Sequence, residues 1–149
     1  MLSLQYLAGF TDADGSITIS KFKTTTGCGL KFRIRVRIAN IRLDILEQIK
    51  KQYGGWIEKI PRKANDRQCY RWCTADKSAA KFLQKIYPYL FIKKKQASMC
   101  LELYEMSKKL KTQRKNTGQF IKASKKELQR KLQLVEEIRL LNRRGFLGA

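Results

Sequence analysis

The sequence predicts an α+β domain: a four-stranded, mostly antiparallel sheet with helices on one face, in the order αββαββα, followed by further C-terminal helices. Three observations lead there. Phe32, Ile34, Val36 and Ile38 alternate with Lys31, Arg33, Arg35 and Arg37, the period of a half-buried strand. Other stretches carry apolar residues at helical spacing and stop at Gly or Pro. The β-rich runs come in two pairs, each joined by a short polar link of the kind that makes hairpins.

Taken in order, Leu4, Leu7 and Ala8 behind Ser3, a good helix N-cap, predict a short first helix. The run Asp12-Ala13-Asp14-Gly15 is expected to break it. Ile17 and Ile19 then alternate with Ser16, Thr18 and Ser20 as a strand, and residues 24–29 form a turn into the cationic strand. Asn40 is expected to cap a second helix carrying Ile41, Ile45, Leu46 and Ile49, which ends at Gly54-Gly55. Trp56 to Ile60 and Cys69 to Cys73 read as a second hairpin; Tyr70 and Trp72 compete with Arg71 for its inner face, and the register stays open. Asp76 is a candidate cap for a helix with Ala79, Ala80, Phe82, Leu83 and Ile86 that halts before Pro88. Another helix is expected from about Lys93 to Leu110, with Ala97, Cys100, Leu101 and Tyr104 inward. Residues 111–123 are polar and basic. Ser124 to Glu127 is a capping box opening a last helix with Leu128, Leu132, Val135, Ile138 and Leu141 inward, before a loose basic tail.

Composition bounds the function. The chain has 149 residues, 43% hydrophobic and 30% charged, enough for one domain with its own core; the expected division is a core over about 3–110 and a helical extension over about 111–149. Lys and Arg number 33 against 12 Asp and Glu, a net charge of +21 that a polyanion would neutralise. Nucleic acid is the natural partner, although basic surfaces also suit anionic membranes or plain solubility. No apolar run approaches the roughly 20 residues that span a bilayer, and Met1 to Phe10 has no basic leader, so an intracellular protein without a membrane partner is expected. Cys28, Cys69, Cys73 and Cys100 lack paired Cys-x-x-Cys spacing, and histidine is absent, which argues against structural zinc. Without histidine, any catalysis falls to carboxylates, lysines or water activated by a metal.

The chemistry concentrates at Leu7-Ala8-Gly9-Phe10-Thr11-Asp12-Ala13-Asp14-Gly15, a nonapeptide that ends a predicted helix and opens a strand. Gly9 and Ala13 are small and four apart, as on helix faces that approach one another closely. The nonapeptide resembles the signature of the LAGLIDADG homing endonucleases, departing at Phe10 and Thr11, and the element order over about Leu4 to Leu110 is similar to that family's curved-sheet fold.

The resemblance implies a site-specific, metal-dependent DNA endonuclease. Single-motif members act as homodimers, and here there is one motif and no internal repeat. Leu7, Ala8, Gly9, Phe10 and Asp12 would then meet a second copy, and twofold symmetry would bring two Asp14 side chains together. Asp14 matches the family's metal-binding carboxylate, Ala13 its carbonyl donor, and Asp12 a structural acid at the helix end; a simple turn aspartate is the plain alternative for Asp14. Pro88 to Ala97 resembles a second family landmark whose lysine, here Lys93, works near the scissile phosphate; it can equally be a phosphate contact. Asn40 and Arg42 lie where the family places polar residues that organise water, and Asn40 can also be only a helix cap. Oxygen donors suit Mg²⁺, with Mn²⁺ or Ca²⁺ as substitutes, Ca²⁺ in a non-cleaving complex. The expected reaction is hydrolysis of both strands of a long pseudo-palindrome, leaving short 3′ overhangs.

Base reading is expected from the outward face of the strands: Lys31, Arg33, Arg35 and Arg37, joined by Thr18, Ser20 and Thr24, with Arg62, Arg67 and Arg71 from the second hairpin. Lys108 to Lys115 and Lys122 to Lys126 suit phosphate contacts or a solvated surface. Family relatives also include RNA maturases, which would bind intron RNA, and regulators that bind DNA without cutting it.

Overall fold

A computed structural model describes residues 1–25, 29–117 and 123–143. Helix α1 (Leu4–Asp14) leads into strands β1 (Gly15–Lys23) and β2 (Leu30–Asn40), then α2 (Leu43–Tyr53), β3 (Trp56–Lys59) and β4 (Tyr70–Ala75). Helix α3 (Asp76–Ile86), a 3₁₀ turn at Tyr87–Tyr89, α4 (Lys94–Thr117) and α5 (Lys125–Leu141) complete the order. The four strands form one antiparallel sheet in the order β1-β2-β4-β3. This is the predicted α+β architecture.

The alternation in β2 sets the layers. Ile34, Val36 and Ile38 are buried against the helices, and their partners across β1, Ile19 and Ile17, are buried with them. Trp72 on β4 faces Ile38 and Ile57, and its ring packs at an edge on Phe82 of α3, 5.0 Å between centroids. This fixes the open register of the second hairpin: Tyr70, Trp72 and Ile57 lean inward, and Arg71 faces out opposite Glu58. The indole Nε1 donates to the carbonyl of Gly54 at 2.8 Å, so the turn from α2 into β3 is anchored from the core. Gly55 there has φ +85°, and a Cβ would meet the Cys73 carbonyl oxygen at 2.3 Å; no other residue fits.

Several element ends differ from expectation for non-local reasons. Helix α1 runs through Asp14 instead of breaking at Asp12, because Asp12 is tied to a distant loop described below. Asn40 ends β2 and does not cap α2; the helix starts three residues later, with Ile41 half-exposed. Asp76 is the first residue of α3, with Ala75 at the cap position, and it adopts φ +50°. Helix α4 continues past Leu110 to Thr117. Ser3 and Ser124 do cap α1 and α5, the latter with the full capping box. The buried stripe of α5 is Lys131, Leu134, Val135 and Ile138, rotated from the expected one. The expected loose tail beyond residue 143 and the basic side chains at 111–115 and Lys122 lie outside what is described, as does most of the turn at 26–28.

Candidate nucleic-acid interface and active site

The C-terminal end of α1 gathers the polar groups. Asp14 is its last helical residue and Gly15 the first of β1; a Cβ on residue 15 would lie 2.5 Å from the Thr11 carbonyl oxygen, so the helix passes into the strand without space for a side chain. This tight corner sets Asp14 beside the end of β2. Asn40 Nδ2 donates to Asp14 Oδ2 at 2.8 Å, and Asn40 Oδ1 accepts from the backbone N–H of Arg42 at 2.9 Å. Asn40 therefore orients the carboxylate while its own carbonyl is fixed. Asp14 is exposed.

Lys93 enters from the turn before α4. Its Nζ donates to the backbone carbonyl of Asp12, and the ammonium lies near enough to the Asp12 and Asp14 carboxylates to feel both. Burial pushes the Lys93 ammonium below its usual pKa, with those two carboxylates opposing the shift. Arg42 is turned away: its guanidinium pairs with Asp44 through two hydrogen bonds of 2.9 and 2.6 Å, which raises its pKa and lowers that of Asp44. Asp14, Asn40 and Lys93 thus converge, and Arg42 joins them through its backbone only.

Asp12 has a different occupation. Its carboxylate accepts the backbone N–H groups of Phe91 (2.8 Å), Ile92 (3.2 Å) and Lys93 (2.8 Å), donors that precede α4. A single acid therefore fixes Lys93 relative to α1. Leu7 and Ala8 also point into the protomer's own core, with no exposed surface. The side chains of Leu7, Ala8 and Asp12 are thus unavailable to a second copy, a correction to the expected interface. The outward stripe of α1 is Tyr6, Gly9 and Ala13, with Phe10 half-buried alongside and its ring 5.8 Å from that of Tyr6. Nothing lies within 4 Å of a Cβ built on Gly9.

The opposite face of the sheet from the helices carries the cations. Pairing aligns Ser16 with Arg37, Thr18 with Arg35, Ser20 with Arg33 and Phe22 with Lys31, all outward. Arg33 lies over the Phe22 ring at 5.3 Å and pairs with Asp76 at 3.3 Å. The Nε atoms of Arg35 and Arg37 are buried with no hydrogen-bond partner, so the stems lie against the sheet. Arg71 extends the face, and Ala75 and Cys73 stand opposite Arg35 and Arg37 on β4. Burial, reinforced by Glu58, pushes the Cys73 thiol up to about 11. Thr24, whose hydroxyl bonds the Gly29 carbonyl, sits at the far hairpin turn; Arg62 and Arg67 are exposed in the 60–69 connector, Arg62 donating to the Asp66 carbonyl.

Sequence reasoning passed over Trp56 and Glu58, which share the outward face with Arg71. Indole Nε1 of Trp56 donates to Glu58 Oε1 at 2.8 Å, and this bond holds the Glu58 carboxyl below its usual pKa. The signal was present in the alternation of Trp56 and Glu58 with Ile57, once Ile57 is assigned inward.

The architecture and the corner motif have a known counterpart. Residues 7–104, well over half of the chain, match the sequence profile described as LAGLIDADG endonuclease. The chain belongs to the LAGLIDADG endonuclease family. Among solved structures it is similar to the homing endonuclease I-CvuI in complex with the I-CreI target, uncleaved with Mg present. Identity is 24% and the TM-score 0.71, over 98% of this chain and 85% of that one. It is similar also to the archaeal intron-encoded homing endonuclease I-Vdi141I complexed with DNA, at 22% identity and TM-score 0.69 over 96% and 86% of the two chains. I-SmaMI bound to cleaved DNA matches at 16% and 0.65, with 89% of this chain covering 42% of that larger one. At these identities the likeness speaks for the fold. No curated protein sequence matches the chain.

Proposed function

We propose that this LAGLIDADG chain is a homodimeric, site-specific endonuclease that hydrolyses both strands of a long pseudo-palindromic DNA duplex with Mg²⁺ and leaves short 3′ overhangs. The observation that carries it is the convergence of Asp14, Asn40 and Lys93 at the end of α1, where the exposed small-residue stripe of that helix meets the cationic sheet.

The donor set fits a hard divalent cation. Asp14 and the carbonyl of Ala13 are oxygen donors on an exposed helix end, and no histidine competes for a softer metal. In a twofold dimer a second Asp14, with the DNA and water, would supply the remaining oxygen ligands. When bound, the cation would activate water and offset charge developing on the phosphate. Asn40 keeps the carboxylate of Asp14 aimed, and Lys93 holds a cation beside it to receive the anionic phosphate. Arg42, engaged by Asp44, contributes through its backbone or after releasing that partner.

Sequence reading belongs to the outward face. Arg35 and Arg37 have the guanidinium forks suited to guanine edges, Arg33 and Arg71 add further forks, and Thr18 and Ser20 stand opposite Arg35 and Arg33 in the adjoining strand. Thr24, Arg62 and Arg67 reach toward the outer base pairs and phosphates.

Cleavage of a randomised duplex library with Mg²⁺, repeated with EDTA and with Asp14→Asn, tests the proposal. Metal-dependent cuts at one near-palindrome are expected, lost in Asp14→Asn while DNA affinity stays within about tenfold, because the change removes a carboxylate and not a groove contact. Undiminished cutting by Asp14→Asn would remove that residue from the chemistry. Specific binding without cuts would place the chain with the family's regulators, and retention of intron RNA over duplex DNA with its maturases.

A further inference from the structure

Among the described strand residues that face outward from the sheet, Glu58 is the one carboxylate. A surface built only to attract phosphates would exclude it, since an anion facing the backbone weakens binding. Glu58 is nevertheless outward, ionised and held in place. Trp56 Nε1 fixes Oε1 at 2.8 Å, and Arg71 Nη1 approaches Oε2 at 3.5 Å, a long and weak contact. The Cys73 thiol, opposite Trp56 on β4, also bonds the carboxylate, yet a carboxylate has about four acceptor sites and 44% of the side chain is exposed. The position lies two strands across the sheet from the corner that carries the proposed chemistry. Glu58 pairs with Arg71, Arg71 with Ala39, and the residue after Ala39 is Asn40, the partner of Asp14.

We infer that Glu58 is a specificity-determining residue whose carboxylate accepts a hydrogen bond from the exocyclic amine of a cytosine in the major groove. The inference rests on the DNA-endonuclease reading above. In the major groove cytosine offers a donor and no acceptor, so an acceptor-only carboxylate complements it; guanine and thymine present acceptor oxygens that it repels, and adenine sets the N7 acceptor beside its amine. The indole bond orients the carboxylate without consuming its capacity, and the arginines around it compensate its charge against the phosphates. A plain ion pair with Arg71 would not account for the separate anchor at Trp56.

The test is selection from a randomised target library at fixed salt, comparing the unaltered protein with Glu58→Gln and Arg71→Ala, each checked by thermal melting. The unaltered protein is expected to enrich cytosine at one position of each half-site. Glu58→Gln should lower that preference about 5- to 150-fold and leave all other positions as they were, because its amide can donate as well as accept. Arg71→Ala should weaken binding and any preference at the position Arg71 itself reads, but keep the cytosine preference, since Trp56 still holds the carboxylate. An unchanged profile in Glu58→Gln overturns the inference, as does a loss confined to a guanine position, which would make Glu58 a support for Arg71. If the unaltered protein selects no sequence at all, the endonuclease reading falls and the inference with it.

Discussion

Asn40 carries two bonds, and each has a different consequence. Its amide nitrogen holds Asp14 and its carbonyl holds the backbone of Arg42, so the residue links the corner motif to the strand that ends beside it. Groups that orient a ligating carboxylate act through its aim, and their loss costs roughly 10- to 100-fold in activity. Asn40→Ala is therefore expected to slow single-turnover cleavage by about that factor at saturating Mg²⁺, with DNA affinity unchanged in a filter-binding titration. A loss of affinity without a loss of rate would assign Asn40 to binding. The sequence marked Asn40 both as a helix cap and as a site residue, and the two readings use the same chemistry: a short amide side chain that bonds nearby groups. What separated them was Asp14, twenty-six positions earlier, whose proximity is set by the antiparallel pairing of β1 with β2. Glu58 was hidden for the same reason. Its role depends on Arg71 and Trp56 sharing a face, and that depends on a register fixed by packing of Trp72 in the core.

At the scale of elements, the legible parts were those with a local cause. Four apolar residues in period 2 located β2, serine caps located the starts of α1 and α5, and glycines located the turn after α2. The misplaced boundary at Asp12 had a non-local one. An Asp-x-Asp-Gly run has the composition of a turn, yet α1 continues through it because the Asp12 carboxylate is satisfied by three N–H groups some eighty residues away. Those donors lead into α4, so one side chain joins the first helix to the fourth and positions Lys93 between them. Asp12→Ala leaves three part-buried N–H groups without their acceptor, at a cost of up to about 1–3 kcal/mol for each that water does not reach. We expect a loss of at least one such contribution in urea denaturation, together with slower cleavage from a displaced Lys93. Asp12→Asn, which keeps an acceptor oxygen, should recover part of the stability. Equal melting of Asp12→Ala and the unaltered protein would mean that the loop holds its shape without Asp12.

For the whole molecule the question is what meets the outward stripe of α1. Tyr6, Gly9 and Ala13 lie exposed along a helix whose other side is fixed in the core, and the proposed metal ligands stand at the end of the same stripe. One chain supplies a single Asp14 there, and its charge of +21 repels a second copy unless the contact is close or DNA is present. Small residues permit that close contact, since backbones can pack where side chains do not intervene. Gly9 separates the proposed interface from the fold, since its own protomer leaves space there. A Cβ at Gly9 meets nothing within 4 Å of the protomer, and a helical glycine replaced by a longer residue gains helix propensity. Gly9→Arg should therefore keep the far-UV circular dichroism of the unaltered protein while sedimenting as a monomer, with or without DNA. Double-strand cleavage should disappear, because the proposed site takes an Asp14 from each of two chains, and half-site binding should persist through the sheet. A dimeric Gly9→Arg protein that still cuts would move the twofold contact away from α1, and with it the assignment of Asp14 to a shared centre.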